Sequence, residues 1–288
     1  MDFLSECSDD AIEINISWKR IQGPLDFSRF TKLKKLNCSI NEITELNNLP
    51  NSLEELNCNN NKIDNLHNLP NSLVSLECEI NGITNLNNLP NSLKKLNCSI
   101  NNITNLDNLP ISLETLLCNY NRIISLNNLP SSLKVLDCSR NRIQNLDNLP
   151  NSLIELNCSI NEITELNNLP KFLEQLICEN NKIITLDNLP DFLKILSCRN
   201  CLITNLDVLP NNLYDLRCSN NIITNLDNLP KNLIILECDD NELTKLDNLP
   251  NNLQELSCRN MFLTSLNNLP RTLKKLDYQF NFQNINEN

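Results

Sequence analysis

The sequence predicts a solenoid of short parallel strands, and three observations predict it. From Thr31 the chain repeats every 20 residues, giving twelve full rows that end at Pro270 and a truncated thirteenth from Arg271. Each row reads xxLxxLxCxxNxIxxLxNLP, with Leu at place three from Leu33 to Leu273 and at place six from Leu36 to Leu276. The trio Leu36, Asn37, Cys38 has the two-residue alternation of a strand, and it recurs at a fixed interval. Internal repetition of this kind overrides the one or two globular domains that 288 residues would otherwise suggest.

A single row cannot fold alone. It holds about five apolar side chains, and ordering its backbone costs roughly 1–2 kcal/mol per residue. Stacking supplies the missing burial. Leu36 and Cys38 then point inward, residues 35, 37 and 39 point outward, and strands of successive rows pair in parallel and in register. The stretch from Ile43 to Pro50 is too short and too rich in Asn and Pro for a helix, so an extended or polyproline-like, non-helical outer wall is expected. About 13 strands spaced about 4.8 Å apart make a body roughly 60 Å long, concave on its strand side.

The remaining columns have assigned tasks. Cys holds place eight from Cys38 to Cys258 and yields to Tyr278 in the last row. Asn at place eleven (Asn41, Asn61, Asn81) sits where the chain leaves the strand, and its amide can satisfy backbone groups that would each cost roughly 1–3 kcal/mol if buried unpaired. A second Asn column runs from Asn48 to Asn268, broken at Val208, and is expected to serve similarly. Residues 1–30 form an N-terminal cap, in which Ile12, Ile14, Ile16 and Trp18 alternate as a degenerate edge strand and Leu25, Phe27 and Phe30 complete the cover. Residues 31–270 are the twelve repeats. Residues 271–288 are the truncated repeat with a closing cap of Tyr278, Phe280 and Phe282 and a polar tail.

The pattern LxxLxCxxN, as in Leu33, Leu36, Cys38 and Asn41, resembles the leucine-rich-repeat signature and covers about 250 residues. The LP that closes each row and the 20-residue length are most similar to the short repeats of secreted bacterial effectors of the YopM and IpaH type. The Asn-rich flavour also resembles leucine-rich-repeat proteins of giant DNA viruses and amoebae. The resemblance implies a leucine-rich-repeat solenoid, α/β by convention, that curves as a right-handed horseshoe and binds proteins on its concave face.

Composition narrows the partners. With 35 acidic against 24 basic residues the net charge is −11, which repels phosphate backbones and anionic lipid, so neither nucleic acid nor membrane is expected. Met1 to Arg20 lack the basic start and apolar stretch of an export signal, and no run approaches the roughly 18 apolar residues of a membrane span. Taken with 14 cysteines, this points to a reducing, cytoplasmic compartment, the host cytoplasm if the chain is viral. Abundant Asn, Ile and Lys fit an AT-rich genome.

Chemistry-bearing candidates resolve to structural roles. A column of inward thiols on parallel strands does not converge on a point, so no metal is expected, and Cys is read as a small core residue. Cys201 replaces the ladder Asn and makes a CxxC spacing with Cys198, but no helix start is expected there to lower a thiol pKa. His67 is the only histidine and stands on the outer wall, which leaves no catalytic constellation. Two glycines supply no phosphate-binding loop. The sequons Asn37-Cys38-Ser39 and Asn102-Ile103-Thr104 lie inside the repeat and read as chance. No cofactor and no small-molecule substrate are expected, and neither end is long enough for a catalytic domain.

Information about a partner lies where the rows disagree on outward places five, seven, nine and ten. Rows five and six combine Leu117, Val135, Tyr120 and Arg140 with nearby Arg122 and Arg142, a mixture typical of binding hot spots. Rows eight to ten place Ile177 and Ile195 beside Arg199 and Arg217, with Asp215 near, and Ile235 extends the strip. Drift among copies would produce similar scatter. Ile40, Ile80, Ile100 and Ile160 at place ten are read either as an exposed apolar rim or, preferably, as partly buried against adjacent turns. The function expected is a non-catalytic binding module or scaffold that captures a protein on its concave face. The alternatives are a repeat subunit of a ubiquitin-ligase-type effector, or an expanded-family repeat protein without a fixed partner.

Overall fold

A computed structural model describes residues 4–279, and the described residues divide into two compact units, one up to Arg142 and one from Ile143. In the first unit the strands are β1 (Glu13–Asn15), β2 (Gln22–Asp26), β3 (Lys35–Asn37), β4 (Glu42–Asn47), β5 (Glu55–Asn57), β6 (Ser75–Glu77), β7 (Lys95–Asn97), β8 (Thr115–Leu117) and β9 (Val135–Asp137). In the second they are β10 (Glu155–Asn157), β11 (Gln175–Ile177), β12 (Ile195–Ser197), β13 (Asp215–Arg217), β14 (Ile235–Glu237), β15 (Glu255–Ser257) and β16 (Lys275–Asp277). Within each unit every row contributes one three-residue strand, paired in parallel with the next at a register of 20, as in Leu96 against Leu116 and Leu176 against Leu196.

The core follows the column assignment. Leu at places three and six, Cys at place eight and Ile at place thirteen are almost fully buried, as Leu93, Leu96, Cys98 and Ile103 show. The cap behaves as a degenerate row: β1 pairs with β3, matching Ile14 with Leu36, while Phe27 and Phe30 pack inside at a ring separation of 6.2 Å. Of the alternating residues, Ile14 and Ile16 are buried, whereas Ile12 and Trp18 are exposed. At the other end Tyr278 stands exposed, and Phe280 and Phe282 lie outside the described residues.

Among the described residues the outer wall contains no helix, and it is irregular except in row one, where β4 pairs with β2. Rows are tied there by single bonds such as Asn102 N–H to Ile83 O at 2.9 Å. The ladder Asn does more than close its own turn. Asn101 donates to the carbonyls of Cys78, Cys98 and Ser99 at 3.0–3.1 Å and accepts from Ile83 N–H at 3.0 Å, which ties its own row to the preceding one at two points through one amide. The second Asn column serves differently from expectation. Its members sit exposed in the left-handed region, φ 54–70° wherever it is positive, a conformation Asn tolerates well, and their amides reach exposed side chains such as Asp107 and Asp227.

Two outward places also differ from expectation. Place nine is buried at Ser39, Ser99, Ser159, Ser219 and Asp239, because the chain has already begun to turn off the strand there. Place ten is left-handed in every full row, with φ between 51° and 58°. Asn or Asp occupies it in rows two, eight to ten, eleven and twelve, but Ile40, Ile80, Ile100, Ile160, Tyr120 and Arg140 hold the same conformation against their own preference. Ile80, Ile100 and Ile160 are exposed there and Ile40 half-buried, so the apolar rim is the arrangement adopted, with partial burial only in row one.

Candidate functional site

Rows five and six bring their predicted residues to one corner of the first unit. On the sheet Thr115 aligns with Val135 and Leu117 with Asp137, so Leu117 and Val135 are diagonal neighbours on the outward face, each half-buried. Where the strands turn away, Tyr120 is 56% exposed and the Arg140 guanidinium lies 5.7 Å from its ring centre. Arg122 and Arg142 follow two residues later, both exposed, with their backbone N–H groups tied to Ile103 O and Ile123 O at 2.9 Å. The result is a pair of half-buried apolar residues on the strand face, with an exposed Tyr–Arg contact at the turn of the same two rows and two further exposed arginines where the wall begins. Asp137, the carboxylate beside Leu117, accepts the N–H of Ser139 at 2.9 Å.

The second group assembles differently. Register places Asp215 between Ile195 and Ile235, and Ile177 stands in another column beside Ser197, so the three isoleucines do not form a continuous strip. The arginines are committed internally. Arg217 holds buried Asp215 through two bonds of 3.0 Å, and that pairing raises the Arg217 pKa. Arg199 pairs with Glu179 at 3.5 Å and with Glu237, and Glu179 also accepts from Ser197. This face of the second unit is a self-satisfied ion network.

Comparison with solved structures shows that the fold belongs to a known class. YopM from Yersinia enterocolitica WA-314 matches with a TM-score of 0.81 and 38% identity over 87% of this chain, which spans 56% of that protein. YopM, a leucine-rich effector protein from Yersinia pestis, matches with a TM-score of 0.82 and 33% identity over 93% of this chain and 77% of its own. The chain belongs to the leucine-rich-repeat family. No protein-family model and no curated sequence matches it. A third leucine-rich-repeat structure, the functional domain of InlJ from Listeria monocytogenes, includes a cysteine ladder and matches at a TM-score of 0.59 and 29% identity, over 81% of this chain and 64% of its own.

The cysteine ladder of this leucine-rich-repeat chain is a core element. Burial pushes the thiols of Cys58, Cys98 and Cys218 up to about 12, and Sγ of Cys78 reaches the next row's Asn97 carbonyl at 3.3 Å. Cys201, also raised by burial, approaches Cys178 O and Arg199 O at 3.6 and 3.7 Å where an Asn amide would stand. Met261 is a second substitution of the ladder Asn that column reading passed over. Exposed His67 borders a solvent-open cleft of about 200 Å³ between the walls of rows one and two, lined also by Leu46, Leu49, Leu66 and Cys58. Among the described residues no group of three His, Cys, Asp or Glu side chains is placed to hold a metal ion.

Sequence reasoning also missed the edge from which the chain enters each strand. At place two, Ser72 and Ser92 donate to the preceding row's Leu53 O and Leu73 O at 2.6 Å and Thr272 to Leu253 O at 2.7 Å, whereas Asn212 and Asn232 donate to the place-one carbonyls of Asp191 and Asn211. Rows eight and nine instead carry Phe172 and Phe192, an exposed pair with ring centres 5.4 Å apart. The signal was legible as the break in the Ser/Asn/Thr column.

Proposed function

We propose that this chain is a non-catalytic protein-binding scaffold, and that the outward strand face of rows five and six is where its partner sits. The observation that carries this reading is the Leu117, Val135, Tyr120 and Arg140 corner, where half-buried apolar residues on the strand face stand beside an exposed aromatic ring and a guanidinium group not consumed by an ion pair among the described residues. Such mixtures concentrate binding energy in most interfaces. Raised thiol pKa values argue against a cysteine nucleophile among the buried ladder residues, since the reactive form is the thiolate. Rows eight to eleven contribute Ile177, Ile195 and Ile235 as scattered apolar positions among neutralised arginines, and serve the scaffold more than the contact. The reading places the chain in a reducing compartment, where its free thiols persist.

The test is capture of partners from a cytosolic extract, identification by mass spectrometry, and titration of each purified partner against the wild-type chain and a Leu117→Asp, Val135→Asp variant. The variant is expected to fold, because both side chains are outward, and to bind at least about tenfold more weakly, as loss of one hot spot of about 1.4 kcal/mol would give. Equal affinity for wild type and variant would sink this face as the binding site.

A further inference from the structure

Charge is distributed unevenly among the arginines. Six lie between residues 31 and 270. Arg199, Arg217 and Arg259 all pair with carboxylates of their own unit: Glu179 and Glu237, Asp215, and Asp239 and Asp277. Arg122, Arg140 and Arg142 form no ion pair among the described residues, and all three are exposed. In a chain with a net charge of −11, three uncompensated guanidinium groups on two adjacent rows make a local positive field opposite in sign to the whole. Asp137 forms no ion pair with them and is engaged with the Ser139 N–H.

The backbone at the same corner is strained, as it also is at Ile40, Ile80, Ile100 and Ile160. The left-handed turn at place ten is suited to Asn, which fills it in rows two, eight, nine, ten and twelve. Tyr120 and Arg140 occupy it at φ 56° and 54°, where a side chain of ordinary size costs roughly 1–2 kcal/mol. What distinguishes these two rows is the exposed contact that the strained residues make, the Arg140 guanidinium lying 5.7 Å from the Tyr120 ring centre.

We propose that rows five and six bind an extended acidic segment of the protein partner, its carboxylates held by Arg122, Arg140 and Arg142 and an intervening aliphatic side chain seated on Leu117 and Val135. Deepening the function proposed above, this inference rests on it. Adjacent rows stand about 4.8 Å apart, and alternate residues of an extended peptide about 6.6 Å apart, so carboxylates two residues apart can be bridged by forked guanidinium groups reaching from successive rows. The residues between them turn toward the sheet, where Leu117 and Val135 lie.

A fluorescent decapeptide of alternating Glu and Leu, with Gln-for-Glu and Lys-for-Glu counterparts and a single-stranded deoxyoligonucleotide, tests this by anisotropy against the full chain. The Glu peptide is expected to bind, to weaken at least tenfold between 50 and 500 mM salt (roughly 14 to 4 Å of screening length), and to weaken at least tenfold in the Arg122→Gln, Arg140→Gln, Arg142→Gln variant with an unchanged melting curve. Equal binding of Glu and Gln peptides overturns the proposal, as does full binding by the variant. Tighter binding of the oligonucleotide, lost in the variant, also overturns it by assigning the cluster to nucleic acid. If a captured partner is lost on substituting Leu117 and Val135 but retained by the arginine variant, the scaffold reading stands and the acidic-segment inference fails.

Discussion

The amide of Asn101 illustrates how much one side chain contributes to a structure with so few long-range devices. Its carbonyl and amino groups meet four backbone partners belonging to two rows, the buried Ile83 N–H among them. Replacing it leaves buried polar groups unmade at roughly 1–3 kcal/mol each. Asn101→Ala is therefore expected to lower unfolding free energy by about 2–3 kcal/mol. The natural departure at Cys201, whose weakly donating sulfur stands 3.6 and 3.7 Å from two carbonyls that an amide would meet, predicts the opposite sign: Cys201→Asn should raise stability by about 1 kcal/mol. Urea denaturation midpoints of the two variants decide both, and a fall in midpoint for Cys201→Asn would refute the assignment of the amide as the working group. The ladder Asn was legible in the sequence because it recurs. The left-handed conformation of place ten was not, since Ile, Tyr and Arg there give no local sign of a turn normally built with Asn.

At the level of elements, each three-residue strand is too short to persist alone, and the thiol column shows what stacking does to chemistry. Burial raises Cys58, Cys98, Cys218 and Cys258 from an ordinary 9.0 to about 12, and raises Cys38, Cys78, Cys118, Cys178, Cys198 and Cys238 as well. The folded state keeps these protons at a pH where the unfolded chain has released them. Unfolding then liberates protons, and stability falls as pH rises from about 9 toward 12. Denaturation midpoints are expected to be insensitive to thiol ionisation below pH 8 and to drop steeply above pH 9, with a shallower slope in a Cys58→Ala, Cys98→Ala variant. A slope unchanged by removing these two thiols would show that other groups drive the alkaline loss. The inward direction of this column followed from strand alternation alone, whereas the burial of place nine did not, because period-two reasoning ends where the strand ends.

For the molecule as a whole, stability is a sum over rows and the contacts between neighbours, so length is adjustable in whole units only. Removing residues 91–110 rejoins Pro90 to Ile111 and lets Ser112 take the bond that Ser92 makes to Leu73 O. That deletion is expected to leave the far-UV circular dichroism per residue unchanged and to lower the melting temperature modestly. Removing residues 91–100 alone breaks every column at once and should unfold the first unit. If both deletions behaved alike, register between rows would not be what holds them.

The sequence by itself determined the period, the strand positions, the inward columns and the membership of the leucine-rich-repeat class, because those depend on the same local pattern repeated until stacking becomes the one way to bury it. Tertiary structure alone decided which outward residues are available. Arg199 and Arg140 occupy similar outward positions in sequence, yet the first is consumed by Glu179 and Glu237 from other rows and the second stands free over Tyr120. Whether a charge is spent or offered depends on carboxylates 20 and 38 residues away in the chain and one or two strands away in space. No reading along a single row contains that distance.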